Sequence, residues 1–574
     1  MPFAHSDADG APQSLLRLSA YAGSRGTGNP DLATLFEVLF EVLFEVLFEV
    51  LFEVLFEVLF GPVCQLAPGR RLIACGMWYG FVFSGSLHPS TSAIRLYFAA
   101  MNETDSRHAA SDEPLIVSVS GLRGIVGATL TPEVAARYAV AFVETLPPGP
   151  LVLGRDGRES GPMLAAAIMV AVAATGRDVI DCDVAATPTI GIAVRERAAA
   201  GGIQISASHN PARYNGLKLF AAAGRVLTAS AGREVLAGFE RLTEAGPRLP
   251  QKGQPGRLVS YDPTESHIRL IEQVVDVEAI RRHRLRVWID CSHGAGSCVA
   301  LPLLERLGCE VIAEGAVPDG RFEHEPEPIE ENLVGLLPRI PQTRAAIGFF
   351  QDPDADRLAI ADATGRYLGE EATLPLCAEA VLAAAPGPVV VNCSSSGMTA
   401  AIADRLGVPC HVSAVGEANV VDRMLATNAV LGGEGNGGVI DPRVVLIRDS
   451  AVAMALVLLR MCGSAKLTPM ADLAAALPRF VMRKTKQSLA PAIRAAGLSD
   501  AIDRIAAAFP TAQADRLDGL RLTWPGGWLL VRGSNTEPIV RIVGEQAIGP
   551  EGRALAAGRL DAAINRAVAA INQG

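Results

Sequence analysis

The chain has 574 residues, of which 49% are hydrophobic, 20% charged and 5% aromatic, proportions that exclude a disordered or fibrous protein. Its 51 Lys and Arg against 61 Asp and Glu leave a net charge of −10, so no global positive field grips nucleic acid or an anionic membrane, and an anionic ligand must be held locally. The ten cysteines form no CxxC pair and no Cys/His cluster at zinc spacing, which argues against a disulfide framework or structural zinc and fits a reducing cytoplasm.

The first hundred residues differ in texture from the rest. They hold 11 of the 19 Phe, seven of them (Phe36 to Phe60, every fourth residue) in a tandem LFEV repeat. As a strand the repeat makes a two-faced, aggregation-prone ribbon, and as a helix its Glu residues drift around the axis without a clean polar face. Six Glu bar it from a bilayer, and the apolar run Leu72 to Phe83 is too short to span one. No signal peptide is evident at MPFAHSDADG. The unvarying period points to a translated tandem nucleotide repeat, with EVLFGP weakly resembling a protease-site linker; a hydrophobic partner-binding segment is the alternative. Residues 1–110 are expected to be a low-complexity, disordered extension, unless translation naturally begins at Met101.

From there a strand and helix alternation is predicted. Leu115 to Val119 reads as a strand, and Thr131-Pro132-Glu133 as a cap opening a helix to about Thr145. Leu151 to Leu153 and Val179 to Asp181 read as strands around an Ala-rich helix, Pro162 to Thr175, closed by Gly176. The rhythm restarts at Val287 to Ile289, with a helix Val299 to Leu307 and a strand Ala345 to Phe350. It restarts again at Pro388 to Val391, with helices Met398 to Leu406 and Ser450 to Met461. Such units imply parallel sheets covered by helices. After about 480 the pattern turns antiparallel: Leu520 to Trp524, a PGG turn, Trp528 to Val531, Ile539 to Val543, then a helix from about Glu551. The expected units are 111–255, 256–366, 367–480 and 481–574.

Four segments carry chemistry. In Ile205-Ser206-Ala207-Ser208-His209-Asn210-Pro211, followed by Asn215-Gly216-Leu217-Lys218, a strand runs into small polar residues at a sheet's carboxyl edge. Ser208 suits a nucleophile or phosphoryl carrier and Lys218 a phosphate partner or proton carrier; taken alone, the segment reads better as a polar turn capping the next helix. Asp352-Pro353-Asp354-Ala355-Asp356-Arg357 follows an apolar strand with three hard oxygen ligands suited to Mg²⁺. Arg357 and Ala363 stand where an EF-hand needs Gly and Glu, and three Asp together repel without a cation. Gly432-Gly433-Glu434-Gly435-Asn436-Gly437-Gly438 offers Glu434 and Asn436 to a polyol and lacks a dinucleotide fingerprint. Arg532-Gly533-Ser534-Asn535-Thr536-Glu537-Pro538 with Arg541 reads as a phosphate nest.

In this order the four segments resemble those of the α-D-phosphohexomutases (phosphoglucomutase, phosphomannomutase and phosphoglucosamine mutase), over about 115 to 560 and including Ser120-Gly121-Leu122-Arg123-Gly124. The resemblance implies an α/β fold: three similar mixed or parallel-sheet domains and a smaller α+β C-terminal domain around a central cleft, without the repeat extension. It implies a phosphoserine at Ser208, with Mg²⁺ held by Ser208, Asp352, Asp354 and Asp356. It places Arg123, Lys218 and His209 at the transferred group, Arg123 or Lys218 being the proton shuttle, and Arg357, Glu434 and Asn436 at the sugar. Arg532, Ser534, Asn535, Thr536 and Arg541 then grip the substrate phosphate. A hexose 1,6-bisphosphate is the implied intermediate and activator, and a phosphosugar the partner, with neither nucleic acid nor membrane involved. Asn436 and Gly438 replace the Ser and His common in the sugar loop, and Ala414 a common Lys; the variant resembles some archaeal-type and bacterial mutases and leans to phosphoglucosamine or mixed phosphogluco/phosphomannomutase activity. A metal-dependent sugar phosphatase and a non-catalytic phosphosugar-binding relative are the rival expectations.

Overall fold

A computed structural model describes residues 114–119, 121–246, 253–488, 498–533 and 539–572. Everything expected of residues 1–110, and of Ser120, Ser534, Asn535 and Thr536, lies outside the described residues.

The first sheet contains β1 (Ile116–Ser118), β2 (Gly121–Ile125), β3 (Leu151–Arg155), β4 (Val179–Val184), β5 (Gly201–Ile205), β6 (Tyr214–Ala221), β7 (Arg225–Val226) and β8 (Leu258–Ser260). Helix α1 (Pro132–Thr145) starts where its cap predicts: the Thr131 hydroxyl accepts from the Val134 N–H at 3.3 Å, and Pro132 occupies a position whose N–H would go unused. Helices α2 (Gly161–Ala174) and α3 (Thr187–Glu196) connect β3 to β4 and β4 to β5.

The second sheet holds β9 (Arg286–Asp290), β10 (Glu310–Glu314), β11 (Ile347–Gln351) and β12 (Leu358–Asp362), with α4 (Ser297–Arg306) between its first two strands. The third holds β13 (Val389–Asn392), β14 (Cys410–Ser413), β15 (Leu431–Glu434) and β16 (Gly438–Ile440), connected by α5 (Met398–Arg405) and α6 (Glu417–Thr427).

The sheets are mixed, where the alternation alone implied parallel ones. Each contains three parallel strands followed by an antiparallel one, in the orders β4-β3-β5-β6, β10-β9-β11-β12 and β14-β13-β15-β16; the first sheet adds β8, parallel to β4, and the antiparallel-paired strands β2, β1 and β7. The antiparallel strand returns directly from the last parallel one. Each domain therefore presents a hairpin at the carboxyl edge of its sheet, the edge at which α/β proteins bind ligands. The Ser208 segment consequently leads into strand β6, not into a helix.

Helix α7 (Ser450–Cys462) is apolar almost throughout and buried on nearly every side. Its N-cap Asp449 accepts from the Ala451 and Val452 N–H groups at 2.9 and 3.2 Å. It lies within one continuous core running from Val152 to Leu477 through all three α/β domains, while a second core, Leu122 to Leu242, belongs to the first domain alone.

The C-terminal part is a five-stranded antiparallel sheet in the order β17 (Phe480–Ser488), β21 (Ile539–Ala547), β20 (Gly527–Gly533), β19 (Leu520–Trp524), β18 (Gln513–Asp515). Side chains alternate along β20. Leu529 and Val531 pack into the core shared with α8 (Leu498–Ala508) and α9 (Arg553–Asn572), whereas Trp528 and Leu530 pack with Val543 on Cys393, Val412 and Val415 of the third domain. No described helix is long and apolar enough to cross a membrane.

Candidate active site

Ser208 lies in the hairpin between β5 and β6 with φ of +51°, a left-handed conformation that costs a residue with a Cβ roughly 1–2 kcal/mol. Its hydroxyl donates to Asp352 Oδ2 at 2.8 Å and lies 3.3 Å from His209 Nδ1. Arg123 donates to Asn210 Oδ1 at 3.0 Å, so it stands beside the same loop. Burial, reinforced by Arg357 and Arg123, pushes the His209 imidazole down to about 2, leaving a neutral ring that is a weak base.

The hairpin between β11 and β12 carries the acidic residues. Asp352, Asp354 and Asp356 are buried, with one carboxylate oxygen of each within 4.8 Å of the others. The three carboxylates repel one another as expected, and the chain supplies cations of its own that offset part of that repulsion. Lys218 Nζ donates to Asp354 Oδ2 at 2.5 Å and Asp356 Oδ2 at 2.7 Å, and Arg448 donates to Asp356 Oδ2 at 2.6 Å. Thr187 at the start of α3 donates to Asp354 Oδ2 at 2.5 Å.

The charges divide the triad. Burial would raise Asp356, but Arg448, Lys218 and Arg357 outweigh it and hold the carboxyl far below the usual range. Asp352 is pushed well up by burial and by the charges of Asp356 and Asp354. Burial opposes the Lys218 ammonium, yet Asp354 and Asp356 raise its proton affinity above the ordinary value. The second oxygens of Asp354 and Asp356 are buried without a hydrogen-bond partner. Two orphaned carboxylate oxygens, with Asp352 and the Ser208 hydroxyl beside them, fit a hard divalent cation.

Glu434 ends β15, and both of its carboxylate oxygens take protein donors, with one acceptor position left on Oε2. Oε1 accepts from Asn392 Nδ2 at 2.8 Å and the Gly416 N–H at 3.1 Å, and Oε2 from Arg448 at 2.6 Å. Asn436 caps its own turn, accepting from the Gly438 N–H at 3.2 Å. The turn's glycines answer a packing demand: a Cβ on Gly435 would lie 2.0 Å from Glu371 Oε2, and Gly437 has φ of +84° with the Leu358 carbonyl 2.4 Å from its Cβ position.

From the C-terminal domain, Arg532 faces Arg541 across the β20–β21 ladder, and its Nε lies 3.3 Å from Asp518 Oδ1. Asp518 Oδ2 accepts from the Val415 N–H at 3.0 Å, one residue before the glycine that bonds Glu434. Arg357 reaches Glu327 at 3.7 Å, and Glu327 lies 3.8 Å from His209. Arg123, Ser208, His209, Lys218, the three Asp, Arg357 and Glu434 thus share one continuous network, and Arg532 joins it through Asp518.

Several members of the network were not anticipated from the sequence. Arg448 bridges Asp356 and Glu434, and Glu417 Oε1 accepts from its N–H at 2.8 Å. Its signal was a lone Arg-Asp pair inside the apolar run from Val444 to Leu459. Asp156 and Arg158 lie just past the carboxyl end of β3, where the sheet-edge rule would have found them.

Comparison with known proteins agrees with this arrangement. Three family models match: phosphoglucomutase/phosphomannomutase alpha/beta/alpha domain I over residues 115–246, domain II over 265–365 and domain III over 370–480. The chain belongs to the phosphoglucomutase/phosphomannomutase family. It is 38% identical over 434 residues to the "Phosphoglucomutase/phosphomannomutase" of Thermococcus kodakarensis, covering 74% of this chain and 93% of that protein. It is 33% identical over 435 residues to the "Probable phosphoglucosamine mutase" of Methanopyrus kandleri, covering 74% and 92%. A crystal structure of a phosphoglucomutase/phosphomannomutase family protein from Burkholderia thailandensis superposes with a TM-score of 0.69 at 28% identity, covering 80% of this chain and 99% of that one. The chain is accordingly a phosphohexomutase, an isomerase that works by moving a phosphoryl group.

Proposed function

We propose that the enzyme interconverts hexose 1-phosphates and 6-phosphates through a phosphoryl group carried on Ser208. The observation that supports this best is the contact between Ser208 and the acid triad: a hydroxyl from one domain at 2.8 Å from Asp352 of the next, with no apolar layer between. Asp352, Asp354, Asp356 and the Ser208 oxygen would hold Mg²⁺, which when bound supplies positive charge against the phosphoryl oxygens.

The reaction asks four things of the chain's own residues. The bond from Ser208 Oγ to phosphorus breaks as a sugar hydroxyl bonds to the same phosphorus, and the resulting bisphosphate turns over and returns its other phosphate to Ser208. Lys218, kept protonated by Asp354 and Asp356, offers charge to the migrating group. Arg123, beside the Ser208 loop through its bond to Asn210 Oδ1 at 3.0 Å, or Lys218 itself would carry the shuttled proton. Glu434, tied to Arg448 and Asn392, presents a fixed acceptor to sugar hydroxyls, with Asn436 beside it. Arg532 and Arg541, with Ser534, Asn535 and Thr536 between them in sequence, grip the phosphate that is not being transferred. The four-domain division at about 255, 366 and 480 belongs to the same reading, as does a preference for glucosamine phosphate or mixed glucose and mannose phosphates, which the names of the two relatives favour.

The test is a coupled assay with glucose, mannose and glucosamine 1-phosphates, with Mg²⁺ and a 1,6-bisphosphate activator. Turnover of at least one substrate without release of inorganic phosphate is expected, with a loss of at least a thousandfold in Ser208→Ala. Steady phosphate release would point instead to a phosphatase, and a fully active Ser208→Ala enzyme would exclude the phosphoserine route.

A further inference from the structure

Arg158, just past β3, is almost completely buried, with Asp156 as its one carboxylate partner among the described residues. All five N–H donors of its guanidinium are spent within the fold. Nε donates to Asp156 Oδ2 at 3.1 Å, Nη1 to the Pro211 and Tyr214 carbonyls at 2.8 and 2.9 Å, and Nη2 to the Ser208 and Asn210 carbonyls at 2.7 and 2.5 Å. Asp156 accepts in turn from the Arg158 N–H at 3.0 Å and from Ser206 Oγ at 2.7 Å, and Ser206 Oγ accepts from the Ser208 N–H at 2.8 Å. Phe322 of the second domain lies over the guanidinium at 5.0 Å and closes it in.

Both main-chain polar groups of Ser208 therefore end on one assembly: its N–H on Ser206, its C=O on Arg158. These two bonds flank the φ and ψ of a residue in the left-handed region. A hairpin needs no buried guanidinium to stay closed, since its own ladder does that. Four loop carbonyls gathered on one planar cation fix the loop's shape more tightly than closure requires.

We propose that Asp156, Arg158 and Ser206 are positioning residues that hold Ser208 in its strained conformation, so that Oγ stays aimed at the acid triad throughout the phosphoryl cycle; this rests on the reading of Ser208 as the phosphoryl carrier. Their side chains bond to one another and to backbone groups of the loop, not to Ser208 Oγ or the three Asp, and so act through the Ser208 backbone.

The experiment is single-turnover transfer from glucose 1,6-bisphosphate to the full-length enzyme, followed by intact-protein mass spectrometry, with steady-state kinetics and thermal melts alongside. Ser206→Ala removes one oxygen and keeps the fold. It is expected to slow Ser208 labelling and kcat by about ten- to a hundredfold, the size of effect a small misplacement of a reacting group produces. KM should stay within about threefold and Tm should fall by only a few degrees. Arg158→Lys, a cation that cannot bridge four carbonyls, should match it, and Asp156→Asn should lie between. Parental labelling in Ser206→Ala and Arg158→Lys, with none in Ser208→Ala, would overturn the proposal while leaving the phosphoserine reading intact. A rise in KM and a collapse of Tm in proportion to the lost rate would also overturn it. Labelling that persists in Ser208→Ala would instead remove the carrier itself.

Discussion

Arg448 places one guanidinium between the acidic hairpin of the second domain and the glycine-rich turn of the third, with Asp356 and Glu434 each 2.6 Å away. Breaking one side of such a buried arrangement leaves charge uncompensated, at a cost of about 3–5 kcal/mol. Arg448→Met should therefore lower Tm markedly and depress kcat/KM with every substrate, while Arg448→Lys should recover part of both; equal activity in the Met variant would show that Glu434 needs no partner. A second expectation concerns protons. Burial and two neighbouring carboxylates raise the proton affinity of Asp352, so a cation entering the triad competes with a proton that occupies the site more as pH falls. Mn²⁺ titrated calorimetrically at pH 6 and pH 8 should bind more tightly at pH 8 and release protons; equal affinities would contradict it. Asp352, Asp354 and Asp356 were legible because three closely spaced carboxylates behind an apolar strand form a set of hard oxygen donors within one short stretch of chain. Their neighbours Lys218 and Arg448, 136 and 92 residues away, are brought in by topology, which no local pattern records.

At the scale of the element, the cap of α1 was readable from three letters. Thr131→Ala should cost about 1 kcal/mol, visible as a drop of a few degrees in Tm with unchanged kinetics. The return of β6, β12 and β16 was not readable: β12 and β16 are short, buried and carry the same apolar texture as a parallel strand, and the eight residues of β6 carry no mark of strand direction. Only pairing distinguishes them. The 3₁₀ turn from Glu370 to Ala372 supplies a pH-dependent element: burial pushes the Glu371 carboxyl up to about 7 despite Lys484 at 3.1 Å. Between its ordinary value of 4.5 and about 7 the folded protein keeps a proton that the unfolded chain has lost, so the stability this group lends is present at low pH and fades as pH rises through that window. The loss is on the order of 3 kcal/mol. Glu371→Gln should flatten the change in Tm between pH 5 and pH 8; an unaltered pH profile would assign the titration elsewhere.

Across the whole molecule, the C-terminal domain docks through Trp528, Leu530 and Val543 and through Glu545, which takes hydrogen bonds from Ser396 Oγ, the Gly397 N–H and Trp528 Nε1. Trp528→Ala should release this contact and raise KM for the phosphosugar more than it lowers kcat, if the phosphate grip depends on docking; an unchanged KM would place the grip elsewhere. Three sheets and a different fourth were legible from the restarting rhythm and its change after 480, whereas the joining of the three was not. The core from Val152 to Leu477 does not respect domain limits, and α7 has no solvent face to spare, while the C-terminal core is confined to Val481 through Ile571. Heat should therefore melt the first three domains as one cooperative block and the fourth as another, so that scanning calorimetry resolves two transitions where domain counting would anticipate four.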